Sequence, residues 1–346
     1  VADGGGIEKS VTRAGANMDE LLQIWASGNQ FHRVRGIEIT NGRFTVHDWH
    51  KLRSMSPSLI NLRLFEIKSS AQVEDIPDNE QERNPILKHC QRVVIQGLRT
   101  VGKNAFDEAE IQQIVLPHVV KIGANAFYGC GRLWQVEVPQ LQGIGTSAFR
   151  SCYMLNSITL PSIRRIANSA FKACLALNYL KLNVTNALEI DNSGEPREAR
   201  HKYPIFSECA SRRVVVPCDA QGRELRDAQR AEAISKLLRS KLKSDANGYW
   251  QGFMYSTKML PSISIAAADE ESRNAGYVYA PPSFEVNGSI ELRPFLKEHY
   301  TLVGATMRYM SGGVQVEKPI EGRTFEVPQE DVTIVWTARR NKMKMR

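Results

Sequence analysis

The sequence predicts an α+β solenoid of stacked repeats followed by a small all-β domain. A five-residue motif recurs at intervals of 21 or 22 residues, and apolar positions around it keep the same interval. From about residue 256 the repeat is replaced by short alternating runs separated by turn signals. A fixed interval of this length indicates repeats that bury their apolar faces only by stacking on their neighbours.

The recurring motif ends in Ala-Phe and stands at 102–106, 123–127, 145–149 and 167–171. An Asn or Ser precedes Ala-Phe in every copy, at Asn104, Asn125, Ser147 and Ser169. The side-chain oxygen of such a residue is suited to cap the first turn of a helix. We therefore expect a short helix in each repeat, with the Phe and the Cys three residues later on its inward face.

Each motif is followed by an alternating run that predicts a strand with one buried face. These runs occupy 114–116, 136–138, 158–160 and 180–182. Proline follows three of them, at Pro117, Pro139 and Pro161, and proline ends a strand because it has no backbone donor for the ladder. Isoleucine at 122, 144 and 166 supplies a second inward row.

The whole pattern, roughly I-G-x-x-A-F-x-x-C-x-x-L-x-x-V-x-L-P, resembles the BspA-like leucine-rich repeat, also called the Treponema pallidum type. The resemblance implies a right-handed coil of about six to eight irregular repeats with helical caps. It also implies an exported or surface-attached protein of a host-associated bacterium. Some members of this family act as adhesins for extracellular-matrix or plasma proteins such as fibronectin and fibrinogen.

The pattern predicts four segments along the chain. They are an N-terminal segment with a capping helix at 1–35, the repeats at 36–218, a C-terminal capping helix at 219–255 and a β-sandwich-like domain at 256–346. Within the repeats we expect a regular core at 86–183 and polar insertions at 68–84 and 184–203. The C-terminal cap is predicted from an amphipathic pattern over 223–243, because the end of a repeat stack needs a polar cover.

The composition of the chain argues against nucleic-acid binding and against a transmembrane segment. The chain has 346 residues, 42% of them apolar, and a net charge of +8, but its basic residues are spread over several segments. Aromatic and basic residues are not interleaved as in a base-stacking platform, so we expect no nucleic-acid partner. No run of 18 apolar residues occurs, which predicts no transmembrane segment. No signal peptide is visible, and we expect a mature or trimmed form of an exported chain.

Residues that could carry chemistry give little support for an enzyme. Five cysteines share one position of the repeat, at Cys90, Cys130, Cys152, Cys174 and Cys209. We interpret them as buried thiols that act as small apolar residues, although bridges between adjacent repeats are geometrically possible. His47, Asp48 and His50 are expected to be ordinary surface residues. No catalytic, nucleotide-binding or zinc motif is present, so we expect no enzyme activity, metal or cofactor.

The predicted strands leave two rows of outward side chains that core packing does not dictate. One row comprises Arg92, Gln113, Gln135, Ser157, Tyr179 and Arg213, and the other comprises Val94, Val115, Glu137, Thr159, Lys181 and Val215. Curved repeat proteins use such surfaces for recognition. The candidate ligand-binding strip is Gln113, Gln135, Glu137, Ser157, Thr159, Tyr179, Lys181 and Arg213, with Tyr179 as the preferred aromatic anchor.

These observations favour a non-enzymatic, adhesin-like protein, secreted or on the outer cell surface. We expect it to be a monomer that binds a host or extracellular protein or glycan through the strip. The alternative is a structural or spacer component of a bacterial surface assembly.

Overall fold

The protein is described from a computed structural model. The structure describes residues 7–11, 34–55, 62–80, 85–183, 188–190, 204–209, 214–225, 229, 232–233, 254–255, 263–280, 289–296 and 299–341. Two compact units are present, Gly6–Thr257 and Lys258–Arg346. Each unit has its own apolar core.

On one side of the repeat unit, each repeat contributes one strand to parallel sheets that run along the stack. A six-stranded sheet comprises β1 (Ile7–Val11), β2 (Val34–Ile39), β4 (Leu64–Ile67), β6 (Arg92–Ile95), β8 (Gln113–Val115) and β10 (Gln135–Glu137). The next repeats form a four-stranded sheet of β12 (Ser157–Leu160), β14 (Tyr179–Leu182), β16 (Val214–Pro217) and β17 (Met254–Tyr255). We call these two sheets together the first face of the stack.

On the other side, five consecutive repeats contribute a second, shorter strand to another parallel sheet, which we call the second face. It comprises β7 (Thr100–Val101), β9 (Lys121–Ile122), β11 (Gly143–Ile144), β13 (Arg165–Ile166) and β15 (Glu189–Ile190). A short upstream pair joins β3 (Arg43–Phe44) to β5 (Gln72–Val73). The predicted isoleucine row at Ile122, Ile144 and Ile166 is buried here, and the core lies between the two faces.

The predicted short helix of each repeat is wrong, because the Ala-Phe motifs form turns. Asn104, Asn125, Ser147 and Ser169 adopt positive φ angles of 54° to 55°, which no helix N-cap has. The backbone N–H groups of Asn104, Asn125 and Ser147 instead donate to the following repeat, as in Asn125 to Thr146 O at 2.9 Å and Ser147 to Asn168 O at 3.0 Å. Small polar residues occupy these positions because they tolerate the left-handed conformation.

The phenylalanines of these turns form a continuous buried stack, as the repeat alignment predicts. Successive rings of Phe106, Phe127, Phe149, Phe171 and Phe206 are nearly parallel, with centroids 5.1 to 5.4 Å apart. This spacing of parallel rings is the offset arrangement that aromatic pairs favour. Phe206 lies in a short 3-10 turn, Pro204–Phe206, and extends the stack beyond the four regular motifs.

The predicted inward row of thiols is confirmed for the regular repeats. Cys130, Cys152 and Cys174 are fully buried, and all six cysteines are free thiols. Each of the three donates to the carbonyl of a phenylalanine in the preceding repeat, as Cys152 Sγ does to Phe127 O at 3.2 Å. Cysteine therefore supplies a weak donor as well as apolar volume.

One α-helix, α1 (Val46–Met55), covers the early repeats. Asp48 accepts hydrogen bonds from the Thr45 N–H and hydroxyl, both at 2.7 Å, and the Thr45 hydroxyl lies 3.4 Å from the Asp48 N–H. This reciprocal arrangement is a capping box. His47 and His50 are exposed as predicted, but the surface assignment of Asp48 is wrong because this side chain is buried in the cap.

The second unit contains a mixed four-stranded sheet in the order β18 (Ile263–Ala267), β25 (Val332–Arg340), β22 (Tyr300–Ser311) and β23 (Val314–Pro319). Two antiparallel pairs accompany it, β19 (Gly276–Tyr279) with β21 (Arg293–Leu296) and β20 (Ser289–Glu291) with β24 (Thr324–Glu326). The expectation of an all-β unit is wrong in one element, the helix α2 (Glu270–Ala275). Asp269 caps it by accepting from the Ser272 N–H at 2.8 Å.

The two predicted capping helices fall almost entirely outside the described residues. The first part of the predicted C-terminal cap is not helical, because residues 219–225 form a reverse turn closed by a bridge between Cys218 and Glu224. Leu225, expected on the apolar side of that helix, donates its N–H to Pro217 O at 3.0 Å.

Candidate functional site

The outward strip lies on the first face of the stack and is formed by the alternate positions of each strand that point away from the core. In register, one row contains Leu64, Arg92, Gln113, Gln135, Ser157, Tyr179 and Val214. The other row contains Glu38, Glu66, Val94, Val115, Glu137, Thr159, Lys181 and Val216. Seven of the eight predicted strip residues take their expected places in these rows.

The register of strand β16 differs from the prediction. Val214 pairs with Tyr179 and Val216 pairs with Lys181, so Val215 points into the core and is fully buried. Val214, Val215 and Val216 are all apolar, so residue type does not distinguish the outward side of this strand from the inward side, and the sequence left its register undetermined. Arg213, the eighth predicted residue, lies outside the described residues.

A chain of side-chain hydrogen bonds connects the middle of the strip. Arg92 Nε donates to Gln113 Oε1 at 2.5 Å, and Gln113 Nε2 donates to Gln135 Oε1 at 2.7 Å. Gln135 Nε2 then donates to Glu137 Oε1 at 2.5 Å. Because each amide both accepts and donates, the chain orders four long side chains in one direction across three repeats. Gln113 is almost completely buried between its neighbours.

Glu137 ends this chain with a carboxylate whose charge is poorly solvated. The side chain is exposed at its edge, but its crowded surroundings withhold water, and this desolvation raises the pKa of Glu137. The Gln135 hydrogen bond and the Arg92 charge oppose the rise.

The far half of the strip is covered by residues 218–225, which we call the strap. Tyr179 Oη donates to Glu224 Oε1 at 3.0 Å, and Lys181 Nζ lies 3.8 Å from the same oxygen. Gly222 of the strap also lies close to the Thr159 side chain, since a Cβ placed on this glycine would be 3.4 Å from Thr159 Cγ2. Tyr179 is consequently only 2% exposed, so the prediction of an exposed aromatic anchor is wrong.

The near half of the strip, which we call the open half, has Glu137 exposed and Arg92 and Gln135 partly exposed, whereas Val94 and Gln113 are buried. It extends further upstream than predicted. Glu66 and Glu38 belong to its second row, and Lys68 Nζ lies 2.8 Å from Glu66 and 3.9 Å from Glu38. The alternating Ile37–Ile39 run carried the signal for this extension. Nothing in the repeat pattern indicated Glu224, because the strap follows the last regular strand.

Other chemistry is not apparent in the part of the chain that the structure describes. No group of three or more His, Cys, Asp or Glu residues there could hold a metal ion. Burial raises the pKa of Cys90 and of Cys218 to about 12, so these thiols are not nucleophilic near neutral pH. No helix among the described residues has the length and apolar character needed to cross a membrane.

Comparison with known proteins agrees with the repeat pattern of the sequence. A family model described as a BspA type leucine rich repeat region matches residues 89–193 in six copies. Residues 89–193 are therefore BspA-type leucine-rich repeats. A search among curated proteins gave no match.

Two solved structures resemble part of this chain. A leucine-rich repeat protein from Bacteroides ovatus is 19% identical, with a TM-score of 0.31, over 46% of this chain and 45% of that one. A leucine-rich repeat protein from T. pallidum is 23% identical, with a TM-score of 0.30, over 45% of this chain and 74% of that one. The match thus spans less than half the length of the Bacteroides protein.

Proposed function

We propose that this chain is a non-enzymatic interaction protein that binds an extracellular protein through the open half of the strip. Membership of a leucine-rich repeat family supports a role in protein interaction. The observation that carries the choice of surface is the ordered chain from Arg92 to Glu137, which holds polar side chains in place before a partner arrives. Preorganised side chains lose less entropy on binding.

The same proposal includes the setting and the finer architecture. The protein is secreted or held on the outer cell surface and acts as a monomer. Its repeats form a right-handed solenoid of six to eight irregular turns with helical caps, ending near residue 255. The C-terminal unit is a sandwich-like module that follows this boundary. Family membership of the repeats and the parallel strands of the first face support this arrangement.

The chemistry of the open half fits a protein partner. It offers the Arg92 guanidinium, the Glu66 and Glu137 carboxylates and the amide of Gln135 within a few strands of one another. Both signs of charge in one small area favour a partner with a complementary mixed surface. The covered half, with Tyr179 under the strap, contributes to the fold rather than to this contact.

A double substitution tests this surface. The variant Gln135→Ala with Glu137→Ala removes the exposed end of the chain, and binding to an immobilised panel containing fibronectin and fibrinogen is measured by surface plasmon resonance. We expect at least tenfold weaker binding, about 1.4 kcal/mol. The matched control is Tyr153→Ala with Met154→Ala, two exposed side chains that lie off the strip.

An unchanged thermal midpoint must accompany the loss, so that unfolding does not explain it. Equal affinities of the two variants would place the contact elsewhere and favour a spacer role for the repeats.

A further inference from the structure

We infer that the second face of the stack carries a separate binding site for a linear anionic polysaccharide, one with repeated sulfate or carboxylate groups. A shallow groove of about 710 Å³ runs across four consecutive repeats on this face. It lies on the other sheet from the outward strip, so the inference does not depend on the proposed protein contact.

The charge of the groove is the first reason. Its lining contains four cationic side chains, Lys103, Lys121, Arg164 and Arg165, all of them exposed. The lining has one carboxylate, Asp78, which accepts a hydrogen bond from the Lys103 backbone N–H at 2.6 Å. Glu189 stands beside Arg165 on the next strand and limits the basic area on that side. The excess of positive charge favours an anionic ligand.

The shape of the groove at its centre is the second reason. Gly143 pairs with Lys121 on one side and with Arg165 on the other. A Cβ built on Gly143 would have no heavy atom within 4 Å, so this position is an open notch between two cations. With strands about 4.8 Å apart, Lys121 and Arg165 are separated along the stack by about 10 Å. An extended polymer lying along the stack could present successive anionic groups to both.

Two glycines of the groove lie directly against the backbone of the preceding repeat. A Cβ on Gly123 would lie 2.7 Å from Lys103 N, and one on Gly145 would lie 2.6 Å from Ala124 N. Glycine is therefore required at these two positions for the repeats to pack this closely. Thr100, Gln142 and Thr146 add hydroxyl and amide groups at the edges, which suit the hydroxyls of a sugar.

The lining distinguishes a polysaccharide from other polyanions. It contains no aromatic side chain, whereas single-stranded nucleic acids are held by stacking on aromatic rings. It also lacks the large apolar pockets in which the anchor residues of a protein partner are buried. Two cations in register about 10 Å apart, two further cations nearby and polar groups at the edges match a sulfated or uronic-acid chain best.

The experiment uses the full chain and a size-defined heparin oligosaccharide as the probe, with affinity measured by titration calorimetry at several salt concentrations. The parent should bind, and Gly143→Glu should bind at least tenfold more weakly, because it places a carboxylate between the two cations without a steric clash. Gly143→Gln is the matched neutral control and should lose less affinity than Gly143→Glu.

A second pair of variants separates the groove from overall charge. Lys121→Gln with Arg165→Gln should weaken binding at least tenfold and reduce its salt dependence. Lys318→Gln with Arg323→Gln makes the same charge change in the C-terminal unit and should change affinity by less than threefold.

Three results would overturn the inference. They are a parent that does not bind the oligosaccharide, equal losses in the two double variants, and single-stranded DNA bound as tightly as the sulfated probe.

Discussion

At the scale of single residues, the repeats are held together by positions that touch their counterparts in the next repeat. Phe149 is fully buried between Phe127 and Phe171, with ring centroids 5.2 and 5.4 Å away. The neighbouring Cys152 thiol donates to the Phe127 carbonyl across the same boundary. The repeats with Phe127, Phe149 and Phe171 thus each contribute one ring and one thiol to contacts that exist only when the neighbouring repeat is folded.

Phe149→Ala should lower the free energy of unfolding by about 3–5 kcal/mol, because it leaves a cavity between two rings that cannot close together. Urea unfolding followed by circular dichroism measures the change. Tyr153→Ala, at a side chain that is 49% exposed, is the control and should shift stability by less than about 0.5 kcal/mol. A Phe149→Ala midpoint equal to that of the parent would contradict the ring stack.

The buried thiols make a second prediction about single residues. Burial raises the pKa of Cys90 to about 12 from its ordinary value of 9.0. The folded state therefore holds this proton where the unfolded chain releases it, and stability should fall as pH rises from about 9 towards 12. In the native state at pH 8 a thiol reagent should modify the regular-repeat cysteines slowly, and in denaturant it should modify all six. Disulfides between Cys130, Cys152 and Cys174 in a non-reducing mass spectrum would be inconsistent with this assignment.

At the scale of elements, the strap decides how much of the first face a partner can reach. Its hold on the sheet depends on the Glu224 carboxylate, which lies between the Tyr179 hydroxyl and the Lys181 ammonium. Two further contacts hold the strap: the Leu225 N–H donates to Pro217 O, and Arg223 forms an ion pair with Asp219 at 2.7 Å within the strap. Leu225 also packs against the apolar core, but most residues of the strap are at least partly exposed, so this element should open more readily than the strands beneath it.

Glu224→Ala should loosen the strap while leaving the repeats folded, because it removes the acceptor shared by Tyr179 and Lys181. We expect amide hydrogen exchange of residues 218–225 to become at least tenfold faster, with exchange of β8 and β10 unchanged. Arg132→Ala, which breaks an exposed ion pair with Glu110 elsewhere on the stack, serves as the control. Exchange in the strap that is as slow as in the parent would show that other contacts hold it.

At the scale of the whole molecule, the two units have separate apolar cores with no residue in common among those described. The repeat core is one long cluster, whereas the C-terminal core is built around strands such as β22 and β25. In the C-terminal unit, Asp269 joins α2 to β25 through an ion pair with Arg339 at 2.6 Å. That bond, with the Ser272 hydrogen bonds, holds the pKa of Asp269 well below its usual range.

Separate cores predict two unfolding transitions that respond to different substitutions. In differential scanning calorimetry, Phe149→Ala should lower only the transition of the repeats, and Asp269→Asn should lower only that of the C-terminal unit. The depressed pKa of Asp269 means that its contribution is present above about pH 4 and is lost as pH falls below it. Glu321→Gln is the charge-matched control in the same unit. A single transition shifted equally by both variants would refute the separation.

The sequence alone determined the interval of the repeats, the inward Phe, Cys and Ile rows and the order of strands on the first face. Repeats reveal these features because a position that must be apolar in one copy must also be apolar in the next, so the same residue types recur at a fixed interval. The same alignment placed Gln113, Gln135, Glu137, Ser157 and Thr159 correctly on the outward strip.

Only the tertiary structure decided which of these residues a partner could reach. Tyr179 and Lys181 fit the outward pattern, yet the strap covers them, and a contact between the strand at 179–182 and Glu224 leaves no periodic trace in the sequence. The turns at Asn104 and its equivalents likewise satisfy their N–H groups through the following repeat, where local propensity alone favours a helix cap. Local pattern specified which side chains face inward, and contacts between repeats specified what covers the rest.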